Sequence, residues 1–325
     1  MGATGRHNIL ETLSIDFDGA AVQTPGISTF CSGRDWCISA ATALHHSTEP
    51  LVWQDGDHWL ALGRSYHDQV GAYLQPLEAD WGFASPLLGP DPKVCIDMLE
   101  GFLAQPHPIW NVALLSGLSP ELARRVSAVL SRKYRCMTRE GISCQLASLD
   151  GGLDAFYARR SARMRSGLRR GQRKLATNDM VIDQMDSKGS VETLLNRVLD
   201  VEQYTWKKRA GQSVLLSPRY HAFYQAVLER ASHRGALRAA FVQHKGKDIA
   251  YIFGAVLGDT YRGFQLGFHE QFSHFGLGNQ MQLAMINRLC DEGFHWYDLG
   301  MSMDYKHRWS DRNLELVTVV VVRHS

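Results

Sequence analysis

A glycine loop in the last third of the sequence has the residue pattern of a phosphate-binding segment. The loop runs from Ser273 through Gly276-Leu277-Gly278 to Asn279, between a strand-like run and a helix-like run. Glycine lets the backbone come close to a ligand, and the free amides at the start of a helix bind anions, phosphates in particular. A tight turn without a ligand is the alternative for a Gly-x-Gly sequence taken alone, so the neighbouring residues must decide.

Five polar side chains near the loop are candidates for acid–base and charge-stabilising roles. His269 and Glu270 precede the loop, where a general base would be well placed, although a structural role is favoured for this pair. Asp298 lies in an otherwise apolar run, which suits a polarised carboxyl group or an anchor for a substrate amine. Lys306, next to Tyr305, carries an ammonium group that would stabilise a developing negative charge. A surface ion pair for the lysine, a loop cap for the aspartate and packing for the tyrosine stay open.

Positive charge is concentrated in one segment between Ala155 and Asn178. Eight of the 35 basic residues lie there without a single acid, which leaves 27 against 33 acidic residues elsewhere. Arg169, Arg170 and Arg173 are our candidates for contacts to donor phosphates. A solvated helix face and an RNA-backbone contact are the alternatives. No aromatic residue follows within the segment after Tyr157, so a base-stacking surface is not predicted.

The second half of the chain predicts the elements that position these residues. The basic segment forms a helix, because small or apolar residues recur at spacings of three and four. Further helices are predicted over residues 191–208 and 217–232, and strands over residues 236–242, 249–257 and 261–268. Glu202 and Trp206, one helical turn apart, are candidates to line an acceptor pocket, with core packing as the alternative for Trp206.

The chain is long enough for two domains of about 150 residues each. The first half alternates strand-like and helix-like runs, including an Asp55-Gly56 hairpin signal. A Gly151-Gly152 pair precedes the basic helix, so we place the domains at residues 1–150 and 151–325. The class predicted by this layout is α/β, in its mixed α+β form.

Composition and motif spacing argue against several other classes of protein. No run approaches the roughly 18 apolar residues of a membrane helix, and the first residues lack the pattern of a signal peptide, so we expect a cytoplasmic protein without a membrane span. The six cysteines are scattered without the spacing of a zinc site or a disulfide framework. The fourteen histidines also lack metal-ligand spacing, so no metal is predicted.

The order of these elements resembles the GNAT superfamily of acyltransferases. The strand pair is followed by the Gly276-x-Gly278 loop, a helix, the strand Tyr297-Asp298-Leu299-Gly300 and the segment Tyr305-Lys306-His307-Arg308-Trp309. Within the superfamily the sequence is similar to the branch of the cellulose-biosynthesis-type acetyltransferase domain and the related Fem aminoacyl transferases of peptidoglycan synthesis. The resemblance covers about 170 residues well. It implies tandem GNAT-like domains, the first degenerate, each with a mixed, mostly antiparallel sheet flanked by helices.

The resemblance also implies a reaction and roles for two residues. GNAT enzymes usually transfer the acyl group directly to an amine, with Lys306 assigned to carbonyl or phosphate stabilisation and Tyr305 to protonation of the leaving thiolate. The leading hypothesis is an N-acyltransferase with an acyl-coenzyme A thioester as co-substrate and a small-molecule amine or amino sugar as acceptor. The alternative is a Fem-like transferase with aminoacyl-tRNA as donor, acting on a cell-wall precursor or specialised metabolite. A third hypothesis is a non-catalytic module that binds polyanions.

Overall fold

A computed structural model describes residue 10 and residues 13–106 and 110–323. The chain divides into two compact units. Unit 1 comprises residues 1–144 together with residues 313–325, and unit 2 comprises residues 145–312. The division lies six positions before the predicted boundary, and the C-terminal strand is grouped with the first half of the chain.

Unit 1 contains a mixed, mostly antiparallel sheet. Its strands pair in the order β1–β2–β3–β5–β12, with β4 beside β2, and the β3–β5 pair is parallel while the others are antiparallel. These strands are β1 (Glu49–Asp55), β2 (His58–His67), β3 (Gly71–Pro76), β4 (Leu87–Leu88), β5 (Val112–Leu118) and β12 (Arg312–Val322). The helices of this part of the chain are α1 (Ile15–Gln23), α2 (Thr29–Ser32), α3 (Arg34–Ala43), α4 (Pro92–Leu103) and α5 (Pro120–Leu130).

Unit 2 carries the glycine loop, and its strands pair in the order β7–β8–β9–β10–β11. Its pairs are antiparallel except β10–β11, which is parallel. The strands are β7 (Met180–Asp186), β8 (Leu237–His244), β9 (Lys247–Leu257), β10 (Thr260–Phe268) and β11 (Trp296–Met301). The helices are α6 (Gly152–Ala158), α7 (Ala162–Thr177), α8 (Val191–Glu202), α9 (Trp206–Arg209), α10 (Pro218–His233) and α11 (Leu277–Asp291). Strand β6 (Arg135–Ser148) runs across the division.

The single helix predicted over residues 191–208 is wrong. Helix α8 ends at Glu202, and Thr205 starts the short helix α9 by accepting a hydrogen bond from the Lys208 amide at its side-chain oxygen. A threonine in extended conformation at a helix start satisfies an otherwise unpaired amide, and this competes with continuation of the preceding helix. The mixed, mostly antiparallel sheet flanked by helices is confirmed.

Packing between α7, α11 and the sheet forms the core that supports the glycine loop. Leu168 and Leu175 of the basic helix α7 are buried there with Leu277 and Met281 of α11 and Tyr297 of β11. The apolar stripe predicted for the basic segment is thus the face that packs. The remaining faces of α7 keep its arginines at the surface.

Candidate functional site

The glycine loop is the start of a long helix, as the sequence predicts. After β10 the chain makes a 3₁₀ turn over Glu270–Phe275, and Gly276 then adopts a left-handed conformation with φ of 70° as the N-cap of α11. Leu277 is fully buried and anchors the loop in the core, while Ser273 stays exposed and accepts the Gly276 amide at its carbonyl. This turn fixes where α11 begins, and the start of a helix attracts anions.

Helix α7 packs directly against this helix start. A Cβ atom at Gly171 would lie 2.0 Å from Nε2 of Gln280, so a larger residue there would displace the Gln280 amide. The same Nε2 donates a hydrogen bond to the Leu168 carbonyl at 3.2 Å. Lys174 adds a bond from its Nζ to the His274 carbonyl at 2.9 Å. The basic helix and the glycine loop are therefore joined by packing and by two hydrogen bonds.

A cavity of about 350 Å³ lies where α7, the glycine loop and the segment after β11 meet. Four cationic side chains line it, and no carboxylate does among the described lining residues. The lining residues used below are Arg163, Arg170, Lys174, Gly276, Asn279, Arg308 and Trp309. Arg308 donates to the Asn279 Oδ1 atom at 2.8 Å, which joins the two walls. A concave surface with this charge and these amides can bind phosphate groups.

Only one of the three predicted arginines faces the cavity. Arg170 lines it, whereas Arg169 and Arg173 are exposed and absent from its lining. Arg163 and Lys174 line it in addition, because positions seven and four residues apart share one helix face. That spacing was available in the sequence. The contribution of Arg308 could not be predicted from the sequence, because it depends on where the segment after β11 lies relative to α7 and the glycine loop.

Asp298 is buried and forms an ion pair with Arg262. Its two carboxylate oxygens each accept a hydrogen bond from Nη1 of Arg262 at 2.7 Å, and the Gly300 amide donates to Oδ1 at 2.8 Å. The side chains of the pair are 5% and 4% exposed. Arg262 and Asp298 face one another in the parallel register of β10 and β11. This ion pair joins β10 to β11 near the start of both strands.

Lys306 and Tyr305 lie in a 3₁₀ turn that follows β11. Nζ of Lys306 donates to the Met301 carbonyl at 2.9 Å and lies 5.8 Å from the centre of the Tyr305 ring. The Tyr305 side chain is 45% exposed, and the partial burial of its phenol raises its pKa. Both polar groups are accessible near the end of β11.

His269 and Glu270 contact α9 and the segment that precedes it. The His269 ring stacks on Tyr204 with centroids 4.4 Å apart, and desolvation lowers its pKa, which favours the neutral imidazole. Glu270 is paired with Arg209 at 2.8 Å, and its amide donates to the Tyr204 carbonyl. Nδ1 of His269 has no hydrogen-bond partner in the described part of the chain. A neutral imidazole is the protonation state that a general base requires.

The two residues predicted to line an acceptor pocket differ in burial: Glu202 lies in the core and Trp206 at the surface. Glu202 is 1% exposed and accepts hydrogen bonds from the Tyr251 hydroxyl at 2.6 Å and the Ser213 hydroxyl at 2.5 Å. Trp206 is 41% exposed, so the core-packing alternative is wrong for this residue. Nearby, Nζ of Lys207 donates to the Leu266 carbonyl at 2.7 Å, and desolvation lowers its pKa.

The structure also bears on metal binding and on membrane spanning. The described residues contain no group of three or more histidine, cysteine, aspartate or glutamate side chains arranged to hold a metal ion. Among the same residues, no helix has the length and apolar character needed to cross a membrane.

Comparison with known proteins finds a family match within the second unit. Residues 162–307 match the family model described as acetyltransferase (GNAT) domain. The resemblance to GNAT acyltransferases is therefore confirmed, and it falls on the part of the chain that holds the glycine loop, the basic helix and Lys306. The finer resemblance to the cellulose-biosynthesis-type branch stays a prediction. No curated protein sequence matches the chain.

Solved structures share the fold over nearly the whole chain. FemX is 10% identical with a TM-score of 0.69, and the match covers 94% of this chain and 95% of that one. A conserved protein of unknown function from Bacteroides thetaiotaomicron is 11% identical with a TM-score of 0.58, covering 99% and 98%. L-PGS from Bacillus licheniformis is 12% identical with a TM-score of 0.55, covering 85% and 84%. These likenesses concern the fold.

Proposed function

We propose that the protein is an N-acyltransferase that moves an acyl group directly from an acyl-coenzyme A thioester to an amine of a small molecule or amino sugar. The observation that carries the proposal is the cationic cavity, where four positive side chains and the start of α11 meet without a carboxylate among the described lining residues. A donor with a phosphorylated handle suits this surface, because both fixed charges and helix amides favour phosphate.

The reaction needs proton transfer and stabilisation of negative charge. The amine nitrogen attacks the thioester carbonyl carbon, the carbon–sulfur bond breaks, the amine loses a proton and the thiolate gains one. We assign the proton on the amine to His269, which is neutral, and the proton for the thiolate to Tyr305, whose raised pKa keeps it protonated. Lys306 would stabilise the carbonyl oxygen. Asp298 acts as a positioning residue, because its carboxylate is already paired with Arg262.

Release of free thiol from acyl-coenzyme A donors, in the presence of a panel of amines, tests the proposal. We expect thiol release that depends on the amine. Lys306→Ala should lower kcat by about 10²- to 10³-fold, the cost of removing one donor to a developing oxyanion. Lys247→Ala, an exposed lysine at the start of β9, is the matched control and should keep the wild-type rate.

Two outcomes would contradict this assignment. Unchanged kcat in Lys306→Ala would remove the lysine from the mechanism. Binding of coenzyme A without thiol release for any amine would favour the non-catalytic polyanion-binding module.

Aminoacyl-tRNA is the second candidate donor. It is favoured by the fold shared with FemX over 94% of the chain and by the exposed arginines Arg169 and Arg173, which extend the positive charge of α7 beyond the cavity. With charged tRNA as donor, product formation should be abolished by ribonuclease. Ribonuclease-sensitive product without any thiol release from acyl-coenzyme A would replace the first proposal with this one.

A further inference from the structure

The 3₁₀ turn that carries Tyr305 and Lys306 has little burial of its own to hold it. Met303 and Tyr305 are 47% and 45% exposed. Inside the turn, the Lys306 amide donates to the Met303 carbonyl at 2.8 Å. Apolar burial resumes at Trp309, which is 1% exposed. Contacts from outside the turn are therefore needed to fix where the Lys306 ammonium group lies.

A buried glutamine on β6 supplies such contacts. Gln145 is fully buried, and its Nε2 atom lies 3.1 Å from the Ser302 Oγ atom and 2.6 Å from the Nδ1 atom of His307. The amide donates to both acceptors when His307 is neutral with its proton on Nε2. Ser302 directly follows β11, and His307 ends the turn. One side chain thus joins both ends of the segment that contains Lys306.

The Gln145 amide is kept in the core at a cost. Its Oε1 atom is buried without a hydrogen-bond partner in the described part of the chain. A buried oxygen without a partner is unfavourable, and an apolar side chain of similar length, such as methionine, would avoid this cost. The contribution of the glutamine therefore lies in its two bonds to the segment after β11 and not in the packing of the core.

The Lys306 ammonium group lies against the end of β11. Its Nζ atom donates to the Met301 carbonyl at 2.9 Å, and a Cβ atom at Gly300 would lie 3.6 Å from it. A shift of the turn by about 1 Å would move this charge away from the carbonyl oxygen that it is proposed to stabilise. A displacement of that size can lower a reaction rate by about 10²-fold.

On the basis of the proposed function, we infer that Gln145 is a positioning residue for Lys306, because it holds residues 302–307 at both ends. Gln145 is not among the described residues that line the cationic cavity. Its effect should therefore fall on kcat and not on KM for the acyl donor. A positioned charge in an active site depends on such support from buried neighbours.

Gln145→Met tests the inference, because it keeps the length of the side chain and removes both hydrogen bonds. In the thiol-release assay we expect kcat to fall by about 10- to 10²-fold, with KM for the acyl donor unchanged. In the Lys306→Ala background the same change should lower kcat no further, since its effect passes through the lysine. Equal losses of kcat with and without Lys306 would overturn the inference.

Two further variants separate positioning from general damage to the protein. His307→Ala removes one of the two acceptors at an exposed residue and should lower kcat in the same direction while leaving the core intact. Its effect should not add to that of Gln145→Met. Gln75→Met is the matched control, because Gln75 is a buried glutamine on β3 of unit 1, 6% exposed, and it should keep the wild-type kcat. A loss of kcat in the control as large as in Gln145→Met would overturn the inference.

Hydrogen exchange distinguishes this inference from the proposed function, because it needs no turnover. The amides of Lys306 and Trp309 donate within the segment, and they should exchange faster in Gln145→Met than in the wild type or in Gln75→Met. Faster exchange, with no acyl transfer by the wild type from any acyl-coenzyme A, would support Gln145 as the anchor of Lys306 and overturn the proposed function. Unchanged exchange and an unchanged kcat in Gln145→Met would overturn the inference and leave the proposed function in place.

Discussion

Arg262 and Asp298 form a buried ion pair in register across β10 and β11. Burial of the aspartate follows from the apolar run around it, and the structure confirms this part of the expectation. Its partner lies 36 positions earlier in the chain, and no sequence pattern near either residue indicates the pairing. The parallel register alone brings them together. A buried carboxylate in an apolar strand can be identified from sequence, but its chemical role depends on the residue opposite.

Asp298→Asn is expected to destabilise unit 2 rather than only to lower catalysis. The change leaves the Arg262 guanidinium buried without a counter-charge, which costs about 3–5 kcal/mol. Thermal or denaturant unfolding measures the loss. A double variant, Arg262→Met with Asp298→Leu, should recover much of the stability, since an apolar pair of similar volume tolerates burial. An Asp298→Asn protein as stable as the wild type but inactive would instead restore a direct catalytic role.

At the scale of secondary structure, α7 and α11 were predictable as helices but not as a packed pair. The stripe of Leu168, Gly171 and Leu175 indicates the face that docks, and the glycine loop indicates where α11 begins. The contact between Gly171 and Gln280 joins residues 109 positions apart and leaves no local signal. The unpredicted break between α8 and α9 has a different, local cause, because the capping side chain of Thr205 competes with helix propensity.

Gly171→Ala should destabilise the α7–α11 contact and raise KM for the donor. The added methyl group displaces the Gln280 amide from the Leu168 carbonyl, at a cost of roughly 1–3 kcal/mol that outweighs a helix-propensity gain of about 1 kcal/mol. Gly167→Ala is the matched control on the same helix, because a Cβ there meets nothing within 4 Å. Chemical denaturation should find the control as stable as the wild type or more so.

Gln280→Ala in the Gly171→Ala background gives the complementary test. Removal of the clashing amide should recover part of the loss, and the two changes should be strongly non-additive. Additive effects would mean that the glycine matters for another reason.

At the scale of the whole molecule, the C-terminal strand β12 groups with the first part of the chain and not with the residues that directly precede it. Residues 313–325 group with the first 144 residues, and β12 pairs antiparallel with β5 through Val317–Val322. Position along the chain places this strand after the GNAT-like segment, so sequence order alone assigns it to the second half. Its run of valines predicts a buried strand, but a run of this kind carries no information on which sheet it joins. Long-range pairing has to be read from the structure.

Val319→Ala should therefore destabilise unit 1 although residue 319 lies after the GNAT-like segment. Val319 is fully buried in the core of unit 1 with Leu115 and Val321, and loss of two methyl groups there costs about 2 kcal/mol, including the cavity left behind. Native-state hydrogen exchange should accelerate at the amides of β5, while those of β8 and β9 keep their protection. Val181→Ala, at a valine that is 62% exposed on β7, is the matched control and should change neither set. Faster exchange confined to β8 and β9 in Val319→Ala would show that the C-terminal strand stabilises unit 2 instead.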